Sequence, residues 1–595
     1  MNTVLKKSLL ALAISASAGA VNAAQLEEIV VTAQQRAESL QDVPVSVAAV
    51  TAEKMSNAGI VDLQGLSELV PNFSINETGI STTVTIRGIS SGINPGFEQS
   101  VGIYNDGIFY GRDQLARIPM IDMERVEILR GPQGILFGKN SIAGAVSQIS
   151  AKPTDEFEGS VTALYEPDHG EQDLRLMLSG PISENVSGRI AILDRTLDGY
   201  VFNTVSGQDE QQEEEQVIRA SLRWDVSEDM TANFKVSRST FDTVGRNMEV
   251  YNSIGTPDHI SVLNSIPSAA VASPVESGLN YSADNNGHFS DNEVSDVTLT
   301  IDWDMDGFSL TSVTGFVEYE FDENCDCDFS GAAIFDAARQ EEYEQFSQEF
   351  RFTSDLGGDF DYIGGLFFQS TELKYKDQIS LPTPTLIADV LGGIPTAVGL
   401  VPFANGASTD RTFDQEGDLW AAFAQGTWTL TDELRVTVGG RYTQETKDAE
   451  RSQLHKAVAA FGGEYQSPVV VDAVSGAYNA LWGIFAIEPY ETIVGELDDS
   501  SFTPVVTLEW DANEDTMAYL TWTKGFKSGG FDARSNGHPD SAVTNAGNPL
   551  SGSAITGSWE FDREEATSIE LGSKMTLADG AAELNIALYF TEYSD

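Results

Sequence analysis

The chain has 595 residues, which is too long for one ordinary domain, and its 53 glycines, 17 tyrosines, 30 phenylalanines and 8 tryptophans favour extended, turn-rich structure. Its 34 lysine and arginine residues against 91 aspartate and glutamate residues give a formal net charge of −57, which repels DNA and RNA and excludes nucleic acid as a partner. The acidic excess has two interpretations: a solvated surface, or exposed loops that collect divalent cations or cationic solutes. We expect a mostly β protein.

The first residues have the features of an export signal. Lys6 and Lys7 precede the apolar run Ser8–Ala20, and Val21-Asn22-Ala23 offers the small residues of a cleavage site. The alternative is a membrane anchor, but the run is short for a helix that spans a bilayer. We therefore expect residues 1–23 to be a signal peptide. No later stretch of the sequence is apolar for long enough to span as a helix, so a membrane form would have to be a barrel.

Residues 43–153 combine helix and strand patterns in a compact region. Helical patterns occur near Ala52–Asn57 and Asp62–Leu69, and strand patterns near Val84–Arg87 and Val126–Leu129. Glycines between these stretches mark tight turns. The sequence therefore predicts a small α+β domain ahead of a strand-rich remainder.

Residues 154–595 consist of paired, alternating strands. The clearest pair, Leu419–Leu430 and Leu434–Tyr442, is apolar on one face and rich in Gln, Thr and Arg on the other. The strands of a soluble β-sandwich alternate in the same way, so the positions of the aromatic residues have to distinguish a sandwich from a membrane barrel. Trp420 and Trp428 share the apolar face and are separated by about 26 Å of strand, which matches the band between the aromatic girdles of an outer-membrane barrel. The pattern predicts a transmembrane antiparallel β-barrel.

The connections between these strands are short on one side and long on the other. Short turns are predicted at Asp225–Asp229, Trp303–Gly307 and Asp511–Asp515, and long excursions at Arg246–Asn292 and Lys447–Asp499. Roughly fifteen strands can be counted, whereas single-chain barrels of this kind use an even number. Because an open sheet in lipid leaves two unpaired edges, we expect the barrel to lack its C-terminal strands, which would lie after Asp595.

The most specific motif lies between Val101 and Val146. Its turn Tyr104-Asn105-Asp106-Gly107 and its run from Val126 to Gly144 closely resemble the plug domain of TonB-dependent outer-membrane receptors. Phe137 stands where the family usually has Tyr, and Ala143 where it usually has a first Gly. The resemblance implies a structural or gating role for Arg87, Gly88, Tyr104, Asp106, Gly107, Glu127, Arg130, Gly131, Pro132, Gly134, Gly138, Asn140 and Gly144.

The segment ahead of the plug is similar to the TonB box of the same family. Gln25–Arg36 is an extended, β-prone peptide that in isolation could be an ordinary first strand. The resemblance implies that the periplasmic protein TonB, working with ExbB and ExbD, adds this peptide to a sheet by β-augmentation. The residues implied for TonB binding are Glu27, Glu28, Ile29, Val30, Val31, Thr32 and Ala33, and residues 24–42 form the box and its linker.

Three barrel segments also resemble the family: Gln348–Arg351, Lys524–Phe531 and Glu565–Lys574. The family implies 22 strands and a last strand that ends in an aromatic residue, so Asp595 falls short of that end. The resemblance covers nearly the whole chain after residue 23. The implied fold is therefore a transmembrane antiparallel β-barrel, incomplete in this sequence, with an N-terminal α+β plug domain inside its lumen.

Three arginines lie in apolar segments of the plug, where their charges need a compensating partner. Arg87, Arg125 and Arg130 should face the barrel wall, where an unpaired guanidinium would cost several kcal/mol. We expect at least one of them to pair with a barrel carboxylate, and Glu349 and Glu570 are the candidates. The alternative is that these side chains extend to water.

Four other sequence patterns do not predict a catalytic, cofactor or metal site. The glycine-rich stretch at Lys139 lacks P-loop spacing, and Gly88-Ile89-Ser90-Ser91-Gly92 has nucleophile-elbow spacing without a following helix. Asp302–Gly307 resembles an EF-hand opening but lacks its final Glu, which favours a hairpin turn. Cys325 and Cys327 could form a small local disulfide. We expect no catalytic residue, no metal site and no cofactor.

The sequence predicts an importer in the outer membrane of a Gram-negative bacterium, not an enzyme. Its cargo would be a scarce solute. Because ferric siderophores are the commonest cargo of the family that it resembles, we expect a ferric siderophore or another iron complex, and the alternatives are cobalamin, haem and oligosaccharide. A passive porin-like channel and a secreted hydrolase are the competing classes. The expected partners are TonB, a small-molecule or metal-chelate ligand, and outer-membrane lipid with lipopolysaccharide. We expect a monomer without a transcription-signalling module.

Overall fold

The computed structural model describes residues 28–77, 81–246, 248–252, 261, 263, 265, 278–283, 287–354, 357–393, 398–457, 465–467, 480–485, 487–539, 542–543 and 555–594. The expected signal peptide and Glu27 lie outside these residues. Within the described ranges, no helix is long and apolar enough to cross a membrane.

The plug is built from short strands and helices that follow residue 28. Its strands are β1 (Val30–Val31), β2 (Glu38–Ser39), β3 (Val47–Thr51), β4 (Phe73–Glu77), β5 (Thr82–Ile86), β6 (Ile89–Ser90), β7 (Val101–Asn105), β8 (Ile108–Phe109), β9 (Met123–Arg130) and β10 (Gly144–Ser150). Its helices are α1 (Ala52–Ala58), α2 (Leu63–Leu66) and a 3₁₀ turn at Asp113–Arg117. The central sheet has the order β3-β9-β10-β7-β8, and only β10 and β7 are parallel in it.

Local sequence explains the ends of the plug helices. The Thr51 side chain caps α1 by accepting from the Lys54 N–H, and Gly59 ends it with a φ of 68°. The Asp62 side chain caps α2 by accepting from the Gly65 N–H at 2.7 Å. The predicted helix Ala52–Asn57 is therefore confirmed, whereas the predicted helix Asp62–Leu69 is shorter in the structure, because glycine weakens its interior and a proline follows at Pro71.

The barrel sheet contains fifteen long antiparallel strands in chain order, as the alternation predicted. They are β11 (Glu158–Glu166), β12 (Glu171–Ser183), β13 (Val186–Leu197), β14 (Gln212–Ser227), β15 (Met230–Val244), β16 (Phe289–Met305), β17 (Phe308–Cys325), β18 (Asp336–Ser354), β19 (Phe360–Ser380), β20 (Ala407–Thr431), β21 (Leu434–Ala457), β22 (Tyr490–Asn513), β23 (Thr516–Lys527), β24 (Glu564–Leu577) and β25 (Ala582–Ser594). In the described ranges, β11 pairs with β12 and β25 with β24, and these two outer strands do not pair with each other. Further strands after residue 595 remain a prediction.

Shorter elements lie between the long strands. They are the strands Val201–Asn203, Asp209–Glu210, Ser282–Ala283, Tyr465–Ser467, Gly530–Phe531, Ala542–Val543, Ile555–Thr556 and Glu560–Phe561, the helices α3 (Leu386–Gly392) and α4 (Val401–Ala404), and a 3₁₀ turn at Val398–Leu400. Each of them comes directly after a long strand that ends at a long connection, and before the next long strand begins. They therefore belong to the end of the barrel that carries the long connections, which we call the loop end.

The two ends of the barrel differ as the sequence predicted. At the short-turn end the connections are residues 184–185, 228–229, 306–307, 355–359, 432–433, 514–515 and 578–581. At the loop end they include residues 245–288, 381–406, 458–489 and 528–563. The excursion predicted at Lys447–Asp499 was too wide, since β21 continues to Ala457 and β22 begins at Tyr490. Alternation simply continues in these strands beyond the height of a bilayer.

Aromatic side chains form an outward-facing belt near the short-turn end. Four exposed tryptophans lie two or three residues before the ends of β14, β16, β20 and β22, and these are Trp224, Trp303, Trp428 and Trp510. Trp420 lies higher on β20 and faces Phe368 on β19. Exposed Leu, Val and Ala fill the interval, which is the arrangement of a membrane barrel with two aromatic girdles.

Candidate functional site

The segment resembling a TonB box folds back on the plug as a hairpin. Val30–Val31 pairs antiparallel with Glu38–Ser39, and we call residues 30–39 the N-terminal hairpin. Val31 is 0% exposed and Ala33 2% exposed, whereas Glu28 is exposed and Ile29 is half-buried. The sequence indicated an extended peptide, and the structure turns it into one strand of a docked hairpin.

A buried carboxylate of the plug holds this hairpin. Glu127 on β9 accepts at Oε1 from the Thr32 backbone N–H at 2.7 Å, from Thr32 Oγ1 at 3.1 Å and from Arg125 Nε at 2.8 Å. Arg125 Nη2 donates to Thr32 Oγ1 at 3.3 Å as well. Glu127 is 1% exposed, so these are charge-assisted bonds in a low-dielectric setting. Thr32 is thereby tied directly to the central plug sheet.

The turn of the hairpin contacts the barrel wall. Arg351 on β18 donates to the Gln35 side chain, and Arg36 donates to the Tyr362 carbonyl and, at 3.4 Å, to Ser354 Oγ. The hairpin is therefore held at its first strand by the plug and at its turn by the barrel.

Glycines of the plug motif occupy positions where the backbone conformation or close packing favours glycine. Gly131 and Gly138 have φ values of 87° and 86°, and Gly144 has a φ of 151°. A Cβ on Gly144 would lie 2.2 Å from the Leu129 carbonyl oxygen, so another residue would separate β10 from β9. The glycine pattern that identified the plug therefore reflects close strand packing.

The same motif docks against a barrel segment that also carried the resemblance. Asn140 donates to Glu98 Oε2 at 2.6 Å, accepts from the Ser528 N–H at 3.1 Å, and through its own N–H donates to the Phe526 carbonyl at 3.0 Å. Gly134 is equally close, since its Cβ would lie 3.0 Å from the Lys524 carbonyl oxygen. The plug motif and the segment 524–531 are thus two sides of one contact.

Pro132 and Ile135 extend this contact. A Cβ on Gly525 would lie 3.0 Å from Pro132 Cβ, and Arg441 on β21 donates to the Ile135 carbonyl at 3.3 Å. The Arg441 guanidinium also lies 5.4 Å from the centre of the Phe367 ring. A barrel arginine therefore holds the plug loop that ends at Gly138.

The Asp106-Gly107 turn between β7 and β8 contacts both β10 of the plug and β15 of the barrel. Asp106 and Gly107 have φ values of 48° and 85°, as a two-residue hairpin turn requires. Asp106 accepts from the Ser150 N–H at 2.8 Å and from Lys235 Nζ of β15 at 2.6 Å. Tyr104 donates through its hydroxyl to the Phe137 carbonyl at 2.6 Å, so Phe137 serves this contact through its backbone.

Of Arg87, Arg125 and Arg130, Arg87 contacts a barrel carboxylate. Arg87 Nη2 lies 2.6 Å from Glu570 Oε2, and the two side chains are 6% and 9% exposed. Tyr519 donates its hydroxyl to Glu570 Oε1 at 2.7 Å, and the guanidinium lies 3.7 Å from the centre of the Tyr589 ring. Arg87 has a φ of 53° and precedes Gly88 at 82°, so a left-handed turn aims it at the wall.

The other expected pairs differ from the sequence-based expectation. Arg125 pairs within the plug, with Glu127 and Glu124, because these neighbours on β9 are closer than any barrel carboxylate. Glu349 pairs with Arg351 of its own strand at 3.1 Å. Arg130 donates to Ser46 Oγ at 3.5 Å and forms no ion pair within the described ranges.

Sequence reasoning missed several further plug–barrel ion pairs. Arg112 contacts Glu341 at 2.6 Å, and Arg189 contacts Asp122 at 2.6 Å. The signal was present in part, since Glu341 and Arg189 occupy inward-facing positions of barrel strands. Which plug residue each one meets depends on how the plug sits in the lumen, and the sequence does not give that.

A four-charge cluster lies higher, where a plug loop meets the barrel. Glu98 contacts both Lys139, at 3.4 Å, and Lys447 of β21, and Lys139 also contacts Glu445 of β21. These side chains are at most 15% exposed. The lysine that suggested a phosphate loop is therefore fully engaged by carboxylates.

Buried arginine and aromatic side chains pack together at the loop end of the barrel. Arg451 is 0% exposed, and its guanidinium lies 5.0 Å from the Trp559 ring centre and 5.4 Å from that of Tyr490. Arg534 Nε contacts Asp377 at 2.8 Å. Burial, together with neighbouring Arg246, lowers the pKa of His288 to about 2, so this imidazole is neutral.

Other sequence candidates are resolved as structural features. Asp306-Gly307 forms the turn between Met305 and Phe308, so the predicted hairpin is confirmed. Cys325 and Cys327 form the local disulfide that was considered. Ser90 ends the short strand β6 and is followed by bends, not a helix. Among the residues with described positions, no three His, Cys, Asp or Glu side chains are grouped to hold a metal ion.

Comparisons with known proteins agree with this architecture. Residues 39–145 match the family model of the TonB-dependent receptor plug domain, and residues 223–595 match the TonB dependent receptor-like β-barrel. The structure is similar to that of the ferric yersiniabactin uptake receptor FyuA from Yersinia pestis, with a TM-score of 0.67 and 18% identity over 92% of this chain and 72% of that one.

Two curated relatives match shorter regions. The pesticin receptor of Yersinia pestis is 27% identical over 185 residues, which is 31% of this chain and 27% of the relative. The iron-regulated outer membrane virulence protein of Vibrio cholerae is 29% identical over 191 residues, which is 30% of this chain and 29% of the relative. The match thus spans less than a third of either relative. Because the barrel model alone covers more than half of the sequence, the chain belongs to the TonB-dependent receptor family, whose members are Gram-negative outer-membrane proteins.

Proposed function

We propose that this protein imports a scarce solute across the outer membrane in a TonB-dependent manner. The observation that carries the proposal is the N-terminal hairpin, in which the residues expected to bind TonB are tied by Thr32 to Glu127 of the plug. Force applied to residues 28–33 would therefore reach the central plug sheet directly. The outer membrane holds no ATP, so energy has to arrive by such a contact.

The proposed partner is TonB, working with ExbB and ExbD. TonB would take residues 27–33 as an added strand, with main-chain hydrogen bonds supplying affinity and side chains setting register. The short pairing of β1 with β2 offers little competition, since it involves two residues on each side. The protein would act as a monomer in a bilayer of lipid and lipopolysaccharide.

The proposed cargo is a ferric siderophore or another iron complex. Support comes from the names of relatives, which include an iron-regulated outer membrane protein and a ferric yersiniabactin uptake receptor. The Vitamin B12 transporter BtuB of Vibrio vulnificus, 28% identical over 173 residues, keeps cobalamin as an alternative, beside haem and oligosaccharide.

We propose four parts of the sequence with distinct roles. Residues 1–23 would direct export, residues 24–42 would form the TonB box and linker, residues 43–153 the plug, and residues 154–595 the barrel, with further strands after Asp595. The plug and barrel family models overlap these limits without fixing them.

Deleting Leu26–Ala33 tests the mechanism. Cells with the deletion should bind iron-loaded siderophore at the surface as well as the parent does, and should not accumulate it. A control in which the same residues are replaced by a Gly/Ser stretch of equal length keeps the spacing and should behave like the deletion. Uptake that survives both changes would refute TonB coupling through this segment.

Two competing classes predict different measurements. A passive porin-like channel would give steady single-channel conductance in a planar bilayer, whereas the ion pairs that join the plug to the wall predict a closed lumen. A secreted hydrolase would turn over ester substrates and be labelled at Ser90. Since Ser90 is followed by bends and not by the helix of a nucleophile elbow, we expect neither turnover nor labelling.

A further inference from the structure

A cavity of about 350 Å³ lies between the plug and the barrel. Three of its lining residues, Ala37, Gly107 and Lys152, are exposed to solvent, and Asp302 and Thr311 lie close to the short turn that follows β16. The cavity therefore opens at the short-turn end, which in outer-membrane barrels faces the periplasm. Its volume lies within the range of pockets that hold small organic ligands.

Aromatic side chains line the cavity on both sides. On the plug side, the ring centre of Tyr104 lies 5.5 Å from that of Phe109 and 5.0 Å from that of Phe137. On the barrel side, Phe367 on β19 lines the same space. Small-molecule pockets are lined mainly by such residues, with a few polar groups that fix the orientation of the ligand. The cavity thus offers a stacking surface for a planar ring.

Two arginines of the cavity wall belong to one row of residues across the barrel sheet. Arg351 on β18 is paired with Gly365, Gly365 with Phe423, and Phe423 with Arg441 on β21. Three strand spacings of about 4.8 Å place the two arginine Cα atoms about 14 Å apart. Because both arginines line the cavity, they contribute positive charge to the same space.

The carboxylates of the cavity wall do not balance these two arginines. Glu349 pairs with Arg351 at 3.1 Å, whereas Arg441 forms no ion pair in the described ranges. Arg441 is 3% exposed, and it donates to Thr443 Oγ1 at 3.2 Å and to the Ile135 carbonyl at 3.3 Å, which leaves its Nη2 without a hydrogen bond among the described residues. A buried guanidinium without a carboxylate is costly. An anion in the cavity would supply the missing charge.

The lysines of the cavity wall do not need such an anion. Lys235 contacts Asp106 at 2.6 Å, Lys139 contacts Glu98 at 3.4 Å, and Lys152 is exposed to water. Among the buried cations that line the cavity, the arginine of β21 is therefore the one that lacks a carboxylate in the described part of the chain.

Two buried hydroxyl groups in the wall also lack partners. Ser150 Oγ and Thr298 Oγ1 have no hydrogen-bond partner within the described ranges, and the two residues are 7% and 4% exposed. A buried polar atom without a partner costs free energy. A polar ligand, or water held around it, would satisfy both groups.

We propose that this cavity is a binding site for a small organic anion that carries an aromatic ring, and that the bound anion joins the plug to the barrel wall. The anionic group pairs with Arg441, and the ring packs between the plug aromatics and Phe367. Because the cavity opens at the short-turn end, the ligand enters from the periplasm and is distinct from the imported cargo. Neither the identity of the cargo nor TonB enters into this binding.

Calorimetric titration of the full chain in detergent micelles with 1-naphthoate tests the site, with micelles alone as the blank. One naphthoate should bind per chain, with a dissociation constant below about 1 mM. Naphthylmethylammonium, which has the same rings and the opposite charge, should bind at least about tenfold more weakly, and so should acetate, which has the charge without the rings. Equal binding of naphthoate and naphthylmethylammonium would refute the site, and so would a failure of naphthoate to bind.

Three variants locate the bound naphthoate. Arg441→Met should weaken binding at least about tenfold. Since this change also removes a hydrogen bond to the plug, Phe367→Ala is a second variant that keeps that bond, and it should weaken binding about fivefold. Glu349→Gln should tighten binding about threefold, because it removes a carboxylate that competes for the arginines. Arg238→Met is the matched control, since this arginine is 65% exposed on β15, and it should bind naphthoate as the parent does.

The variants also give results that would overturn the assignment. Unchanged affinity in Arg441→Met or in Phe367→Ala would refute the site, and so would weaker binding in Glu349→Gln. Tighter binding in Glu349→Gln cannot result from a damaged fold. Should Glu349→Gln fail to fold, the other two variants still decide the point.

Labelling of a cysteine in the plug core tests whether the ligand joins the plug to the wall. Leu66 is 0% exposed, so a maleimide reaches Leu66→Cys when the plug opens, and the native cysteines are bonded to each other and do not react. Naphthoate at ten times its dissociation constant should slow this labelling about elevenfold, because opening the plug destroys the site. Asp432→Cys, in an exposed short turn, should be labelled at the same rate with and without naphthoate. Unchanged labelling of Leu66→Cys in saturating naphthoate would refute the joining of plug and wall.

Discussion

The ion pair between Arg87 and Glu570 should be a main determinant of plug retention. Both side chains are buried, and Glu570 also accepts from the Tyr519 hydroxyl, at 2.7 Å, and from the Ser46 N–H, at 3.2 Å. With an effective dielectric of about 20 and charge centres about 4 Å apart, the attraction is about 4 kcal/mol. Removing one partner leaves the other buried without compensation, which typically costs about 3–5 kcal/mol.

Arg87→Met should therefore lower the free energy of plug unfolding by about 3 kcal/mol. Glu570→Gln should cost a similar amount, since it keeps the acceptor for Tyr519 but leaves Arg87 charged and alone. The double variant should cost about 2 kcal/mol less than the sum, because it removes both charges together. Arg238→Met is the control: its pair with Glu293 is exposed on both sides, so its loss should cost less than about 1 kcal/mol.

The assay is urea-dependent maleimide labelling of a cysteine at Leu66, which is 0% exposed in the plug and reports its unfolding while the barrel stays folded. The midpoint and slope give the free energy for each variant. Additive costs within about 0.5 kcal/mol for Arg87→Met and Glu570→Gln would refute the pair as a coupled contact. A cost for Arg87→Met as small as that for Arg238→Met would refute the argument from burial.

Three further predictions concern other contacts. Gly96→Ala should loosen the plug, because its Cβ would lie 2.2 Å from the Phe531 carbonyl oxygen, whereas Gly399→Ala, with no atom within 4 Å, should not; urea-dependent labelling of the plug compares them. Burial raises the pKa of Glu38 from 4.5 to about 7, so its contribution to hairpin docking is complete below pH 4.5 and lost as the pH rises through about 7. Protection factors of residues 30–39, which are hydrogen-exchange rates corrected for the intrinsic rate at each pH, should be higher at pH 5 than at pH 8, and Glu38→Gln should abolish the difference. Alanine at both positions of the Cys325–Cys327 disulfide should cost less than about 2 kcal/mol by calorimetry, because the closed loop is so short.

Much of the fold could be predicted because local patterns decide it. Alternation in pairs such as Leu419–Leu430 and Leu434–Tyr442 sets which face meets lipid, and a slip of one residue would exchange the faces. The strand number and the unequal ends of the barrel follow from the same pattern. The plug motif was recognisable because Gly144 has a backbone and a close approach to β9 that exclude other residues.

Features that depend on distant contacts could not be predicted. Val30–Val31 has the composition of an extended strand, and its return as a hairpin depends on Glu127, almost a hundred residues later in the chain. Arg125 and Glu349 pair with residues two positions away on their own strands, and this local pairing replaces a contact between plug and barrel. The cluster around Glu98 requires the position of the plug in the barrel.

Accumulation of radiolabelled iron from ferric siderophores, in matched cells with and without TonB, tests the central claim most directly. Both strains should bind the same amount of complex at the surface in the cold, and only the strain with TonB should accumulate iron at growth temperature. In the strain with TonB, deletion of Leu26–Ala33 should abolish accumulation of iron, as the absence of TonB does. Equal accumulation with and without TonB would contradict the account.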